Sequence, residues 1–333
     1  MKKIIQLVSV CLAISALLWL LGRIGWPTIA KAVGSVGWQG AAVLCLLAWS
    51  ETILDGAALC TVIGRKLRLA FTVVVNSAGS TLNLILPWES GEVLKTGLMG
   101  SILGSKEAIA GTILWNYIFK ISRPALSALT AVLAWALCRD LSRFTIGVIL
   151  LANLLAFLPY LLLRLLIRYG AAEGLFKLLR LIPGIRQHPA HWVELARNID
   201  REVQQFWRLR RGAYLRVFIL QVFARSTGWF GIYAGFKFLG TPYGFAQATM
   251  VYATMNVAEY VIAILPARVG VSEGTAFFVF KFLGLDPTLG LILYVVLRIR
   301  TVFANGILTP LAFFNWGAPL ASSQPAGKSE PAV

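Results

Sequence analysis

Long apolar runs alternate with short polar stretches along the whole chain. A helix needs about 20 apolar residues to cross a hydrocarbon core of about 30 Å, and several of these runs reach that length. They predict spanning helices at about 4–22, 38–63, 108–138, 143–168, 213–239 and 288–314. We therefore expect an all-α polytopic membrane protein with about six spanning helices.

Two further apolar segments, at about 70–87 and 245–265, do not fit as simple spans. Each ends at a proline and is followed by glycine and glutamate. Backbone that is not helical at membrane depth is tolerated only where protein or a water-filled cavity covers it. The pattern therefore predicts two re-entrant segments.

The ends of these two segments are copies of one motif. Ile85-Leu86-Pro87 recurs 179 residues later as Ile264-Leu265-Pro266, and at the same spacing Gly56 matches Gly235. A repeat whose halves each carry an interrupted apolar segment is typical of transporters that bind their substrate between the halves. We expect repeat halves at about 38–138 and 213–314, inside one integral-membrane domain that covers 1–317.

The composition supports a membrane protein. The chain is 58% hydrophobic and only 14% charged, with a mean hydropathy of +0.75, whereas soluble domains carry about 25% charged residues. The net charge of +17 does not indicate nucleic-acid binding, because the cations flank apolar runs or lie in the connection 169–211. Basic amphipathic stretches of that kind are expected to lie on anionic lipid.

The placement of the cations predicts the orientation. Basic residues precede the first helix (Lys2, Lys3), follow the second (Arg65, Lys66, Arg68) and fill the connection 169–211. Cytoplasmic loops carry such an excess, so all three regions and both termini are expected in the cytoplasm. Helix 38–63 would then run inward and its counterpart 213–239 outward, which makes the halves inverted repeats. The polar tail 318–333 is expected to be disordered.

Charged residues inside the predicted spans are the strongest chemical signal. Lys120 and Arg123 share one face of helix 108–138, and Arg298 and Arg300 lie near the middle of helix 288–314. Each such cation costs about 2.5–3.5 kcal/mol on insertion scales, so these side chains are expected to face the protein interior. Carboxylates of similar depth are Glu51, Asp55 and Glu259. Internal ion pairing and a hydrated path for a charged headgroup both explain this pattern.

Polar residues also surround the two interrupted segments. A half-helix end at either break would direct its dipole at a headgroup phosphate or amine. We expect the cations to hold a phosphate and the carboxylates to take an amine or a proton, with the glycines and prolines as hinges. The residues of the first break are Asn83, Pro87, Glu89, Gly91, Glu92 and Lys95, and those of the second are Pro266, Arg268, Gly270, Glu273 and Gly274.

No cluster typical of a metal, a cofactor or a catalytic triad stands out. Both histidines, His188 and His191, lie beside prolines in the hydrophilic connection, and the four cysteines lie in apolar stretches without a CxxC spacing. We therefore expect no cofactor, no metal and no catalytic residue. The apolar run after Met1 is too long for the h-region of a signal peptide, and we expect it to be a retained helix.

The motifs at the two breaks resemble a known family. The stretches N-x-x-x-P-x-x-x-G-E-x-x-K from Asn83 and L-P-x-x-x-G-x-x-E-G from Leu265, followed by an arginine-bearing helix, are similar to the transmembrane region of lysylphosphatidylglycerol synthases. The resemblance covers about 5 to 315 and implies movement of lipids between leaflets of a bacterial inner membrane. Trp88-Glu89 and Arg268 depart from the family pattern, which leaves the lipid open.

These observations lead to one main hypothesis and two alternatives. The main one is a lipid flippase for a charged headgroup of the aminoacyl-phosphatidylglycerol or isoprenoid/hopanoid-related kind. The alternatives are an integral-membrane enzyme that uses Glu89 and Glu92 on a headgroup, and a partner of a lipid-synthesising complex without transport of its own. Membrane lipids are the expected partners, with a synthesising enzyme and a second copy of this chain as further candidates.

Overall fold

The computed structural model of the protein describes residues 26–64, 67–85, 90–137, 146–155, 211–262 and 271–313, with the single positions 157, 197, 200, 201 and 204. Every element in these ranges is a helix. The helices are α1 Trp26–Ile63, α2 Leu69–Ile85, α3 Ser90–Leu103, α4 Ser105–Leu137, α5 Ile146–Leu155, α6 Arg211–Phe238, α7 Phe245–Ile262, α8 Val271–Phe282 and α9 Pro287–Leu308, followed by a 3-10 turn Thr309–Phe313. The expectation of an all-α fold is confirmed for this part of the chain.

Four of the predicted spans coincide with long helices. Gly37 has left-handed backbone dihedrals (φ 64°, ψ 175°) inside α1, so the predicted start at 38 marks its second, regular segment. Within the described ranges, Gly34–Ile63 and Pro287–Ala312 are long and apolar enough to cross a membrane. The span 143–168 is described only at Ile146–Leu155, and the run 4–22, the connection 169–211 (apart from a few positions) and the tail 318–333 lie outside the described residues. The number of spans stays a prediction.

The helices on either side of the first break fold back on each other. Helix α2 ends at Ile85 and α3 begins at Ser90. Asn83 Oδ1 accepts a hydrogen bond from the backbone N–H of Gly91 at 2.7 Å, and further along Lys95 Nζ donates to Asn76 Oδ1 at 3.2 Å. Successive contacts in opposite chain directions define an antiparallel helical hairpin. At the second break α7 ends at Ile262 and α8 begins at Val271, and these two helices also pack on each other.

Helix pairing follows the sequence repeat. The helices α1 to α4 match α6 to α9 in order at the 179-residue spacing. In the described part of the chain, α2 packs on α3 as α7 packs on α8, and α4 packs on α7 as α9 packs on α2. Helices α1 and α6, which correspond to each other, also pack together. They run antiparallel, because Gly40 lies against Phe238 while Asp55 bonds to Arg225.

Each repeat contributes its own apolar core. The first core gathers residues of α1 to α4, including Ile118, and the second gathers residues of α6 to α9. Helices α4 and α6 take part in both cores. On α4, Ile118 belongs to the first core and Leu126 to the second. On α6, Val217 belongs to the first core and Trp229 to the second. Polar side chains placed between these positions along α4 and α6 therefore lie where the two cores meet.

Candidate functional site

A buried arginine of α6 holds two carboxylates of α1. Arg225 Nη1 lies 2.8 Å from Glu51 Oε1, and its Nη2 donates to Asp55 Oδ2. The two carboxylates are one helical turn apart and face the same way, which lets one planar guanidinium serve both. With its amide turned to donate to the carboxylate, Gln221 lies 3.1 Å from Asp55 Oδ1. This ion-pair cluster joins the two repeats across the α1–α6 contact.

A second arginine, Arg300 of α9, lies next to this cluster. Its Nη2 is 3.8 Å from Glu51 Oε2, which is longer than a hydrogen bond, and its side chain is only 8% exposed. Glu51 is 27% exposed and lies closer to Arg225 than to Arg300. The cluster therefore places two arginines from the second repeat around the carboxylates of the first.

The residues of the first break form a compact polar cluster between α2, α3 and α4. Lys95 is 2% exposed, with its Nζ 2.6 Å from Glu92 Oε1 and 4.0 Å from the centre of the Trp115 ring. Glu92 also accepts hydrogen bonds from Asn83 Nδ2 at 3.3 Å and Asn116 Nδ2 at 2.7 Å. Its place in the first turn of α3 is favourable for a carboxylate, because the helix dipole is positive there.

Glycines allow this close approach of α2 and α3. A Cβ atom on Gly91 would collide with the carbonyl oxygen of Gly79, and one on Gly79 would lie 2.6 Å from Lys95 Cε. Small residues let helix backbones approach in this way inside a membrane. Gly91, predicted as a hinge, thus has a packing role. A Cβ on Gly274, the other described hinge residue, would meet nothing within 4 Å.

A third group of charges joins α4 to α7. Arg123 Nη1 donates to Glu259 Oε2 at 3.1 Å, and both side chains are about a third exposed. The guanidinium of Arg123 lies 5.3 Å from the centre of the Phe119 ring, and that of Arg225 lies 4.6 Å from the same ring. Phe119 also stacks on Trp115, with 4.9 Å between ring centres. Aromatic rings therefore connect all three groups of charges into one partly buried network.

The second break carries its own ion pair. Arg298 Nε of α9 lies 2.8 Å from Glu273 Oε1 of α8, and Glu273 is 2% exposed. Glu273 lies in the first turn of α8, where a carboxylate is again favoured by the helix dipole. Both partners belong to the second repeat, just as Glu92 and Lys95 both belong to the first.

The structure brings together most of the described residues that the sequence indicated. Asn83, Glu92 and Lys95 meet in one cluster. Of the predicted phosphate-binding cations, Arg123 lies beside Glu259 and Arg298 lies beside Glu273. Lys120 lies half-buried on α4. Pro87, Glu89, Pro266, Arg268 and Gly270 lie outside the described residues.

The sequence reasoning missed Arg225, Gln221, Asn76 and Asn116. Arg225 lies in the middle of the apolar run 213–239. The rule that selected Lys120 and Arg123 should have selected it too, since a cation at that depth must face other protein groups. Glu51, Asp55 and Arg300 were recognised as intramembrane charges, but nothing in the sequence indicated that Arg225 would be their common neighbour. The amides of Gln221 and Asn76 carry no such signal.

In the part of the chain that the structure describes, no three His, Cys, Asp or Glu side chains lie close enough to hold a metal ion. The arrangement offers buried ion pairs, carboxamides and aromatic faces. These groups can bind and exchange charged ligands.

Comparison with known proteins gives one match. No curated protein and no solved structure matches the chain. The family model described as the lysylphosphatidylglycerol synthase TM region matches residues 6–308, which is nearly the whole sequence. The match confirms the resemblance seen at the two breaks. The chain therefore belongs to the family of lysylphosphatidylglycerol synthase transmembrane regions and is a membrane protein related to lipid handling.

Proposed function

We propose that this protein moves a lipid with a charged headgroup between the leaflets of the inner membrane. The observation that carries the proposal is the partly buried charged network where the two apolar cores meet. Ionisable groups inside a membrane are costly and mark substrate paths by default. A network along the interface of two repeats is the place where transporters of repeat architecture bind their substrates.

We further propose that the two halves are inverted repeats. Three observations support this: the helices correspond in order, their pairings correspond, and the matched helices α1 and α6 run antiparallel. An axis in the membrane plane relates such halves and reverses their direction across the bilayer. In this proposal the chain has about six spans, α2–α3 and α7–α8 are re-entrant hairpins, and both termini are cytoplasmic.

The ion pairs divide into two groups that suggest how the halves move. Among the described residues, the pairs of Arg225 with Glu51 and Asp55 and of Arg123 with Glu259 join one half to the other. The pairs Lys95–Glu92 and Arg298–Glu273 lie within one half. Rocking one half against the other would leave the second group intact and break the first. The charged side chains of the first group lose their partners in this motion, and a charged lipid headgroup can take the place of those partners. The acyl chains of the lipid stay in the bilayer.

The lipid and the absence of chemistry are also part of the proposal. An aminoacyl-phosphatidylglycerol carries a phosphate and an amine, which suit the arginines and carboxylates of the network. An isoprenoid or hopanoid-related lipid is the other class. We propose no reaction on the lipid, because Glu92, the described candidate for headgroup chemistry, is held by Lys95 and two asparagines. The connection 169–211 is proposed to lie on anionic lipid, with a synthesising enzyme or a second copy as further partners.

The experiment is a leaflet-redistribution assay on purified protein in vesicles, with labelled lysyl-phosphatidylglycerol. The wild type should speed redistribution without changing the lipid. Arg123→Gln should lower the rate by about 10–100-fold, which corresponds to a charge-assisted contact of about 1.5–3 kcal/mol. Arg216→Gln, on the exposed face of α6, is the matched control and should leave the rate unchanged.

Two outcomes of this assay, and one outcome of a pull-down from membranes, would contradict the proposal. Equal rates in empty vesicles and in vesicles with wild-type protein would exclude flipping of this lipid class. A modified lipid in the product would identify an enzyme. Co-purification with a lipid-synthesising enzyme in the absence of transport would identify a non-transporting partner.

A further inference from the structure

Arg300 is a buried cation whose hydrogen-bonding capacity is not used. Among the described residues, its Nε and Nη1 atoms are buried and have no hydrogen-bond partner. Its third nitrogen, Nη2, is 3.8 Å from Glu51 Oε2. Buried polar groups in folded proteins almost always have a partner, and a guanidinium carries five N–H donors. Arg300 therefore has buried donors that no acceptor among the described residues satisfies.

The neighbouring cluster explains why Arg300 lacks a carboxylate of its own. Arg225 bonds to both Glu51 and Asp55, and it holds Glu51 at 2.8 Å. Glu51 cannot approach Arg300 without leaving Arg225. The cluster thus contains two arginines, and one of them serves both carboxylates. An anion that reached Arg300 would accept hydrogen bonds from its unused donors without breaking the pairs of Arg225.

Helix α6 is shaped to accommodate this guanidinium. A Cβ atom on Gly231 would lie 2.5 Å from Arg300 Nη1 and 3.3 Å from its Cζ. Only glycine leaves this space open without a shift of the arginine. One turn earlier on the same helix, a Cβ on Gly228 would lie 3.7 Å from Tyr252 Cε2, which is an ordinary contact. The close approach to α6 is therefore specific to Gly231, where the Arg300 guanidinium packs against the helix backbone.

We propose that Arg300 binds an oxyanion of the phosphate type, supplied by a lipid headgroup. A planar guanidinium with open donors matches phosphate oxygens better than a point charge does. Glu51, the carboxylate nearest to Arg300, is 27% exposed, so this cluster is not wholly closed to solvent. For the source of the anion, this inference rests on the proposed function, whereas the binding position itself rests on the unused donors of Arg300 and the space at Gly231.

The test is binding of dihexanoyl-phosphatidylglycerol to the purified full chain in detergent, by titration calorimetry. The wild type should bind saturably. Arg300→Gln and Gly231→Ala should each weaken binding by about tenfold or more, the range expected from lost charge-assisted hydrogen bonds. Gly228→Ala should bind as the wild type does. Size-exclusion profiles and thermal melting show which variants are folded. Arg300→Lys keeps the positive charge but loses the planar guanidinium, so its affinity should lie between those of the wild type and Arg300→Gln.

Each result decides between outcomes. Unchanged binding by folded Arg300→Gln, or full affinity of Arg300→Lys, would overturn the assignment of a guanidinium site. Inorganic phosphate that binds as tightly as the lipid, and loses its affinity in Arg300→Gln, would show that the ligand is a free anion. If binding depends on Arg300 but the protein does not flip lipids, the anion site at Arg300 is supported and the proposed transport function is contradicted.

Discussion

Replacing Arg225 with methionine should destabilise the protein strongly, because the substitution leaves buried carboxylates without their cation. Arg225 is 7% exposed and Asp55 is 8% exposed, so solvent cannot take the place of the lost partner. Removing one member of a buried ion pair costs about 3–5 kcal/mol. We expect the free energy of unfolding to fall by about this amount.

The structure also predicts how the loss can be reversed. In the double variant Arg225→Met, Asp55→Asn the remaining carboxylate, Glu51, has Arg300 at 3.8 Å as a replacement partner. The double variant should therefore recover part of the stability, with a coupling energy of about 1–3 kcal/mol. Neighbouring residues of one network are expected to show such non-additivity.

Reversible unfolding in mixed micelles measures these differences directly. Arg216→Met is the control, since Arg216 is an exposed arginine on the same helix and should change stability by less than about 0.5 kcal/mol. The reasoning would be refuted if Arg225→Met were as stable as the control. Strictly additive costs in the double variant would show that Arg225 and Asp55 do not act as a pair.

Two further predictions concern the packing of the helices. Gly91→Ala should destabilise the protein by about 1–3 kcal/mol, because the new methyl group meets the backbone of Gly79. Gly97→Ala on the same helix has open space and should stabilise the protein by about 0.5 kcal/mol. Thermal melting compares the two variants, and equal effects would contradict the close contact of α2 and α3. The double variant Gly40→Cys, Phe238→Cys, in a background without other cysteines, should form a disulfide, because a Cβ on Gly40 would lie 2.7 Å from Phe238 Cγ. Absence of the cross-link on a gel would contradict the antiparallel packing of α1 and α6.

The helices and their breaks could be predicted well from the sequence. Apolar runs of spanning length located α1, α4, α6 and α9, since hydropathy and length are local properties. The prolines after Ile85 and near Ile262 predicted the ends of α2 and α7, because proline lacks a backbone N–H and disfavours helical backbone in the residue before it. The bounds differ by a few residues, as helix ends commonly do.

The partners of the charges could not be predicted in the same way. Arg123 and Glu259 are 136 residues apart, and Arg225 and Asp55 are 170 apart. Such pairs depend on which helices pack together, and neither periodicity nor spacing contains that information. The pair Glu92–Lys95 was easier to predict, since residues three apart on one helix share a face.

The distance along the chain between Asp55 and Arg225 has a consequence for biosynthesis. The two residues are separated by 170 positions, and ribosomes add about 5–20 residues each second. Helix α1 is therefore complete about 10–30 s before the arginine that stabilises its carboxylates has been made. During this interval Glu51 and Asp55 lack the cation that holds them in the folded protein. The contact between α1 and α6 can form only after α6 has been synthesised, so the two repeats join late in the biosynthesis of the chain.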